Sequence, residues 1–151
     1  MIYVFFANGF EEVEAVATVD MLRRAELEVC TVGVGGVKVA GAHGIVMDCD
    51  LADTQAHADE ALEAVVLPGG MPGTLNLEKS QVVQQFIDYA VAHGKLVAQS
   101  APPLRSSAIR GCWRGKRPPA SLAWSRSFMA RNSATVLFAG MGSLSPGAAR
   151  A

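Results

Sequence analysis

Short apolar segments separated by turn residues recur along the first two-thirds of the chain. Ile2–Ala7 combines β-branched and aromatic residues, which is typical of a strand buried on both faces. Asn8-Gly9 breaks this run, and three later runs have the same apolar character. These further predicted strands are Val29–Val34, Ala64–Leu67 and a segment that begins at Leu96.

Two longer stretches between these strands have a helical pattern. The first runs from Phe10 to about Ala25, and the second from Ser80, as N-cap, to about His93, with Gly94 as its C-cap. Helices that alternate with buried strands predict an α/β fold with a parallel sheet covered on both faces. Smaller elements are also predicted: a hairpin or edge strands at Lys38–Ala40 and Ile45–Asp48, and a short helical piece at Asp59–Leu62.

Ligands of a parallel sheet bind beyond the carboxyl ends of its strands. In this chain those ends are the loops at 7–10 and 68–73 and the segment just after Ala98. Pro68-Gly69-Gly70 lies in the second loop, and two glycines let backbone amides approach a ligand closely, as an oxyanion hole requires. A tight turn without any ligand would have the same sequence.

Three glutamates crowd the start of the first predicted helix. Glu11 and Glu12 need no functional explanation, because acids at a helix N-terminus complement the helix dipole. Glu14 falls within an apolar stripe, where a carboxylate is costly unless it is paired or protonated. It is therefore a candidate catalytic acid, unless it reaches solvent at the end of the stripe. The neighbours that define this stripe are Phe10, Ala17, Met21 and Ala25.

Three segments together resemble the ThiJ/PfpI superfamily, to which the parkinsonism-associated deglycase belongs. They are NGFEEVEAVATVDMLRRA, VVLPGGMPGTLNL and the helix that leads into HGKLVA, in matching order and spacing over residues 1–98. The resemblance implies a flavodoxin-like three-layer α/β sandwich, and a cysteine nucleophile on an elbow after the strand at Lys95–Ala98. It also implies that Glu14 is a protonated acid beside the thiolate, and that Gly69 and Gly70 supply oxyanion-hole amides.

Members of this superfamily are described as deglycases, glyoxalase-like enzymes, oxidative-stress sensors or chaperones, and some are named after thiamine biosynthesis. The resemblance implies a cysteine-dependent enzyme acting on a small reactive carbonyl or glycated substrate, without a cofactor and as a homodimer. The alternative from another class is a non-catalytic, redox-responsive chaperone or interaction protein.

The chain departs from the superfamily where the nucleophile is expected. The superfamily reads approximately Ala-Ile-Cys-Ala-Ala-Pro there, whereas this chain has Gln99-Ser100-Ala101-Pro102-Pro103 after Ala98. When the codons of residues 99–124 are read one frame over, they permit a translation that begins Ile-Cys-Ala-Ala-Pro-Ser-Val-Leu-Gly-His-Pro-Gly. This translation closely matches the sequence with which the superfamily continues past its nucleophile. The cysteine codon would straddle Ser100 and Ala101. Loss of one base in or beside the codon of Ala98 is sufficient to change that translation into the observed sequence. We therefore interpret residues from about 99 onward as a frameshifted translation.

The distribution of charge supports this interpretation independently. All 14 acidic residues lie at or before Asp88, so residues 1–97, with five basic residues, carry a formal charge of −9. Residues 98–151 have eight basic residues and no acid, and carry +8. We therefore divide the chain into residues 1–98, the N-terminal two-thirds of a ThiJ/PfpI-type domain, and residues 99–151, a basic tail rich in Arg, Ser and Pro.

Two functional interpretations of the tail are weaker. Arginines interleaved with Trp113 and Trp124 are typical of single-stranded nucleic-acid binding, but the tail has no RNA-binding motif. Ser100 as a replacement nucleophile needs an adjacent base, and no histidine follows His93. Cys112 is interpreted as an incidental thiol.

The remaining features predict an ordinary cytoplasmic protein. Three cysteines without metal-ligand spacing indicate neither a disulfide framework nor a metal site, so Cys30 and Cys49 are expected to be small buried residues. No signal peptide and no stretch of 18 apolar residues is present. The three histidines, His43, His57 and His93, are expected to be solvated.

Overall fold

In the part of the chain that the structure describes, six parallel strands form a central sheet. The computed structural model describes residues 1–99 together with the backbone of residues 136–138. The strands are β1 (Ile2–Phe6), β2 (Val29–Gly33), β3 (Lys38–Ala40), β4 (Val46–Asp48), β5 (Leu51–Ala52), β6 (Ala64–Leu67), β7 (Leu96–Gln99) and β8 (Val136–Phe138). The α-helices are α1 (Glu12–Arg24), α2 (Gly73–Lys79) and α3 (Gln81–Ala92), and Asp53–Gln55 forms a 3-10 helix.

The order of strands in the sheet is β5-β2-β1-β6-β7-β8, and β3 and β4 form a separate antiparallel hairpin. β1 is central: Ile2 pairs with Val29 on one side and with Ala64 on the other. The chain therefore leaves β1 in one direction toward β2 and later returns to its other side with β6. In a doubly wound sheet this change of direction opens a crevice at the carboxyl ends of the two strands.

Side chains of β1 alternate between two cores, one on each face of the sheet. Phe5 packs with Phe86 and Ile87 of α3, and its ring meets that of Phe86 edge to face at 4.9 Å. Phe6 points to the other face, where it packs with Phe10 and with Val19 of α1. The period of two along a buried strand thus gives the predicted sandwich, with helices on both faces of a parallel sheet.

The ends of the helices follow from their capping residues. Ser80 accepts a hydrogen bond from the backbone N–H of Val83, which confirms it as the N-cap of α3. At the other end the predicted C-cap, Gly94, is wrong by one residue, because His93 is the C-cap and α3 ends one residue earlier than expected. Helix α1 begins two residues after the predicted start, because the side chain of Glu11 caps it by accepting from the N–H of Glu14.

Two expectations about local structure are wrong. Asp59–Leu62 is a turn closed by a 3.1 Å hydrogen bond from Leu62 N–H to Asp59 C=O, and not a helical piece. The stripe assigned to the buried face of α1 is also wrong, since Ala17 is exposed and Met21 is 71% exposed. The face that packs on the sheet carries Glu12, Ala15 and Val19.

The smaller predicted elements at 38–48 form the hairpin β3–β4, in which Val39 pairs with Met47. The tail contributes one described element, since Val136–Phe138 pairs in parallel with β7. Within the described part of the chain, no helix is long and apolar enough to cross a membrane.

Candidate active site

The turn between β1 and α1 is held between two other loops. On one side the N–H of Glu11 donates to Gly69 C=O at 2.8 Å, and the N–H of Gly73 donates to Gly9 C=O at 3.1 Å. On the other side Gly9 N–H donates to Ala40 C=O at 2.8 Å, at the end of β3. Backbone hydrogen bonds therefore connect the predicted ligand loops at 7–10 and 68–73, and join the hairpin to them.

Glu14 lies where these loops meet. Its Oε2 atom accepts a hydrogen bond of 3.1 Å from the backbone N–H of Gly69. The side chain is half-buried, on the first turn of α1. The structure thus brings together Glu14 and Gly69, which the sequence placed in one site, although the apolar stripe that pointed to Glu14 faces solvent.

The amides of the Pro68-Gly69-Gly70 loop differ in what they bind. The N–H of Gly69 is directed at Glu14, so in this structure it positions the carboxylate. The N–H of Gly70 contacts no acceptor within the described residues, and the φ angle of Gly70 is +105°. The oxyanion-hole role of the two amides stays a prediction.

Strand β7 ends beside this loop. Gln99, its last residue, pairs with Leu67 of β6, so the chain leaves the sheet next to Pro68 and Gly69. The superfamily nucleophile is expected one or two residues further on, which is the edge of the sheet where Glu14 lies. Ser100 and Cys112 lie outside the described residues.

The two described cysteines are unsuited to replace that nucleophile. Cys49 is buried on the α1 side of the sheet, and burial raises the pKa of its thiol to about 11. Burial also raises the pKa of Cys30, which is half-buried on β2. Because the thiolate is the reactive form, a raised pKa makes both thiols less reactive. The expectation of a small buried residue is confirmed for Cys49, whereas Cys30 is only half-buried.

A pair of residues that sequence reasoning missed lies beside the site. Glu12 is 6% exposed, and its two carboxylate oxygens accept from the backbone N–H of His43 at 2.6 Å and contact His43 Nδ1 at 2.9 Å. The expectation that Glu12 only complements the helix dipole is therefore incomplete, and His43 is not simply solvated. The sequence did contain a signal that Glu12 is buried, since Ala15 and Val19 follow it at the spacing of one helix face.

The pKa values of this pair are shifted in opposite directions. Burial would raise the pKa of Glu12, but the hydrogen bonds from His43 outweigh it and hold this pKa at about 2. The hydrogen bond and the negative charge of Glu12 raise the pKa of His43. The pair therefore links the loop after β3 to the start of α1, through a contact that is an ion pair when His43 is protonated.

The remaining histidines behave differently. The Nδ1 atom of His93 lies 2.8 Å from Tyr89 C=O, and its ring stacks on that of Tyr89. His57 is exposed, as expected.

Comparison with known proteins identifies the class to which this fold and site belong. The family model described as the DJ-1/PfpI family matches residues 1–100. This match covers about two-thirds of the chain, including β1, the glutamate-rich start of α1 and the Pro68-Gly69-Gly70 loop. The chain belongs to the DJ-1/PfpI family, which confirms the ThiJ/PfpI resemblance and the flavodoxin-like α/β fold.

Individual relatives agree with this assignment. The chain is 35% identical over 102 residues to the Parkinson disease protein 7 homolog of Danio rerio, which covers 66% of this chain and 54% of that protein. The crystal structure of Drosophila melanogaster DJ-1beta superposes with a TM-score of 0.63 at 30% identity, and covers 66% of this chain and 54% of that one. The chain thus spans about half the length of these relatives.

One relative carries an enzymatic name. Deglycase TK1284 of Thermococcus kodakarensis is 26% identical over 161 residues, which cover 85% of this chain and 96% of that protein. Because the match covers 85% of the chain, it extends beyond residue 98, and part of the tail aligns with that relative.

The stability contributed by the Glu12–His43 pair should depend on pH in both directions. The folded-state pKa of Glu12 lies below its ordinary value of 4.5, so its contribution is present above about pH 4.5 and is lost as the pH falls toward 2. The folded-state pKa of His43 lies above 6.5, so its contribution is present below that pH and is lost as the pH rises through the folded value. The pair is therefore most stabilising between these limits.

Urea unfolding as a function of pH tests this expectation. We expect His43→Gln to lower the free energy of unfolding most between about pH 4.5 and 6.5. The control is His57→Gln, which removes an exposed histidine and should leave the profile unchanged. A parallel offset of the His43→Gln profile at every pH would contradict the assignment.

Gly9 and Gly35 offer a matched pair that tests how tightly the loops are packed. Their φ angles are +86° and +84°, but a Cβ at Gly9 would collide with the ring of Pro72, whereas one at Gly35 would meet no atom within 4 Å. We expect Gly35→Ala to cost about 1 kcal/mol from backbone strain alone, and Gly9→Ala about 1–3 kcal/mol more from overlap. Urea unfolding of both variants measures the difference, and equal losses would contradict the close approach.

Proposed function

We propose that this DJ-1/PfpI domain is the N-terminal part of a cysteine-dependent enzyme that acts on a small reactive carbonyl or glycated adduct. The observation that carries the proposal is the 3.1 Å contact between Glu14 Oε2 and Gly69 N–H, at the edge of the sheet where β7 ends. A carboxylate fixed at this edge is suited to proton transfer with a nucleophile that follows β7. The deglycase name of one relative supports the same reaction class.

Each group has a distinct role in the proposed reaction. A thiolate after β7 attacks the carbonyl carbon, and the carbonyl oxygen gains negative charge as the bond forms. The Gly70 amide, with that of Gly69 if it is released by Glu14, donates to this oxygen. Glu14 takes the proton of the thiol before the attack and gives it to the carbonyl oxygen afterwards. No described residue is required to hold a cofactor in this scheme.

The chain as written lacks the nucleophile, and we propose that a frameshift near Ala98 removed it. The reading of residues 99–124 one frame over and the absence of acids after Asp88 support this proposal. The nucleotide sequence across the codon of Ala98 tests it. A conventional coding frame from which no family cysteine can be recovered would refute the frameshift.

Methylglyoxal consumption should separate the chain as written from its frame-corrected form. We expect no thiol-dependent turnover from the chain as written, and turnover from the corrected form that Glu14→Gln lowers about 10²–10⁴-fold, because proton transfer is lost. Glu28→Gln changes an exposed glutamate of the same charge and is the matched control.

Two outcomes would contradict these expectations. Activity of the chain as written that survives Cys112→Ser but not Glu14→Gln would show that the family cysteine is dispensable. A frame-corrected form that folds but has no turnover would favour the alternative, a non-catalytic redox-responsive chaperone or interaction protein.

We also propose that the domain forms a homodimer through α1. Val13 and Met21 are 73% and 71% exposed and Val16 is 41% exposed, so the outer face of α1 presents three large apolar side chains beside the exposed Asp20–Arg24 ion pair. An exposed patch of this kind on a helix is typical of an interaction surface.

Sedimentation of point variants tests this interface. We expect Met21→Glu to convert a dimer to a monomer, because it places a charge in the buried contact. Leu75→Glu is the matched control, since Leu75 is an exposed leucine on α2. Unchanged association of Met21→Glu, or a monomeric parent protein, would contradict the proposal.

A further inference from the structure

Three potential metal ligands converge at the start of α1. One ligand atom each of Glu11, Glu12 and His43 lies within 4.8 Å of the other two. Glu12 is fixed in the protein by burial, whereas Glu11 is half-buried and His43 is exposed. The Glu11 side chain also caps α1 by accepting from the N–H of Glu14, so the cluster combines two carboxylates that are held in place with one exposed imidazole.

The distances within the cluster are close to those of a coordinated ion. Oε2 of Glu12 and Nδ1 of His43 are 2.9 Å apart. Two ligands about 2.1 Å from one tetrahedral zinc ion are about 3.4 Å apart, so the two atoms would separate by about 0.5 Å to take an ion. The pair could therefore hold an ion with little movement, once the metal replaces the proton between the two atoms.

The composition of the cluster selects the type of ion. An imidazole nitrogen favours zinc and neighbouring transition metals, whereas Mg²⁺ and Ca²⁺ take oxygen ligands. Two carboxylates and a neutral imidazole also balance the charge of a divalent cation. Three protein ligands leave a further position for water, as in open zinc sites.

The loop that carries His43 is held in place independently of the ion. Ala42 N–H donates to Phe10 C=O at 2.8 Å, and Gly41 forms a β-bridge with Phe10. Glu11 is fixed on the opposite side by its own N–H, which donates to Gly69 C=O. The ligands are thus brought together by backbone hydrogen bonds between separate loops, and not only by the hydrogen bond that a metal would displace.

We propose that Glu11, Glu12 and His43 bind one divalent transition-metal ion of the zinc type. The site is separate from the Glu14–Gly69 contact, and the proposal does not depend on the proposed enzymatic function. It also goes against the sequence-based expectation of no metal site, which considered cysteine spacing alone.

Titration of the whole chain with Zn²⁺ by calorimetry tests the proposal, at about pH 8 where an ordinary imidazole is neutral. We expect one ion per chain, and at least a tenfold weaker affinity in both Glu11→Gln and His43→Gln. His43→Gln keeps the backbone N–H that donates to Glu12, so we expect this variant to fold. The matched controls are Glu28→Gln and His57→Gln, which should bind Zn²⁺ as the parent chain does.

Replacement of Zn²⁺ by Co²⁺ identifies the ligands. Co²⁺ bound by nitrogen and oxygen ligands shows only weak absorption bands in the visible range. A cysteine thiolate ligand would add an intense charge-transfer band in the near ultraviolet. The proposal predicts visible bands that His43→Gln abolishes. It is overturned by no binding, by a thiolate band, or by equal Zn²⁺ affinity of His43→Gln and His57→Gln, each of which shows that these three residues are not a metal site.

Discussion

The fold around the candidate active site depends on the backbone of the turn between β1 and α1. The backbone of this short segment forms hydrogen bonds with the loop after β6 on one side and with the hairpin on the other. On each side it donates one hydrogen bond and accepts one. Because buried backbone groups must find partners, no part of this arrangement can shift alone. The same hydrogen bonds set the start of α1, and so the positions of Glu11, Glu12 and Glu14.

The three glutamates at the start of α1 illustrate how one helical turn gives neighbouring carboxylates different environments. The side chain of Glu11 caps the helix, that of Glu12 accepts a hydrogen bond from His43 in the hairpin loop, and that of Glu14 accepts one from the amide of Gly69. Successive residues of a helix point about 100° apart, so each carboxylate meets a different loop. A sequence motif that looks like a single acidic run is thus three separate contacts.

The limit of the family match coincides with the change in composition of the chain. The match ends at residue 100, directly after β7, and the last acidic residue is Asp88. The described sheet nevertheless retains the strand order of a doubly wound fold through β7. The described part holds Glu14 and the glycine loop of the candidate site, whereas the nucleophile that the family resemblance implies would follow β7, in the part of the chain that differs.

The sequence by itself determined the strands, the helices, the parallel sheet and the family, because buried strands and capped helices leave local patterns. It also indicated Glu14, Gly69 and Gly70, through motifs with a fixed order along the chain. Only the tertiary structure decided which face of α1 is buried, since alanines and valines lie on both faces. It alone showed the Glu12–His43 pair, because residues 31 positions apart meet only when the hairpin folds against α1.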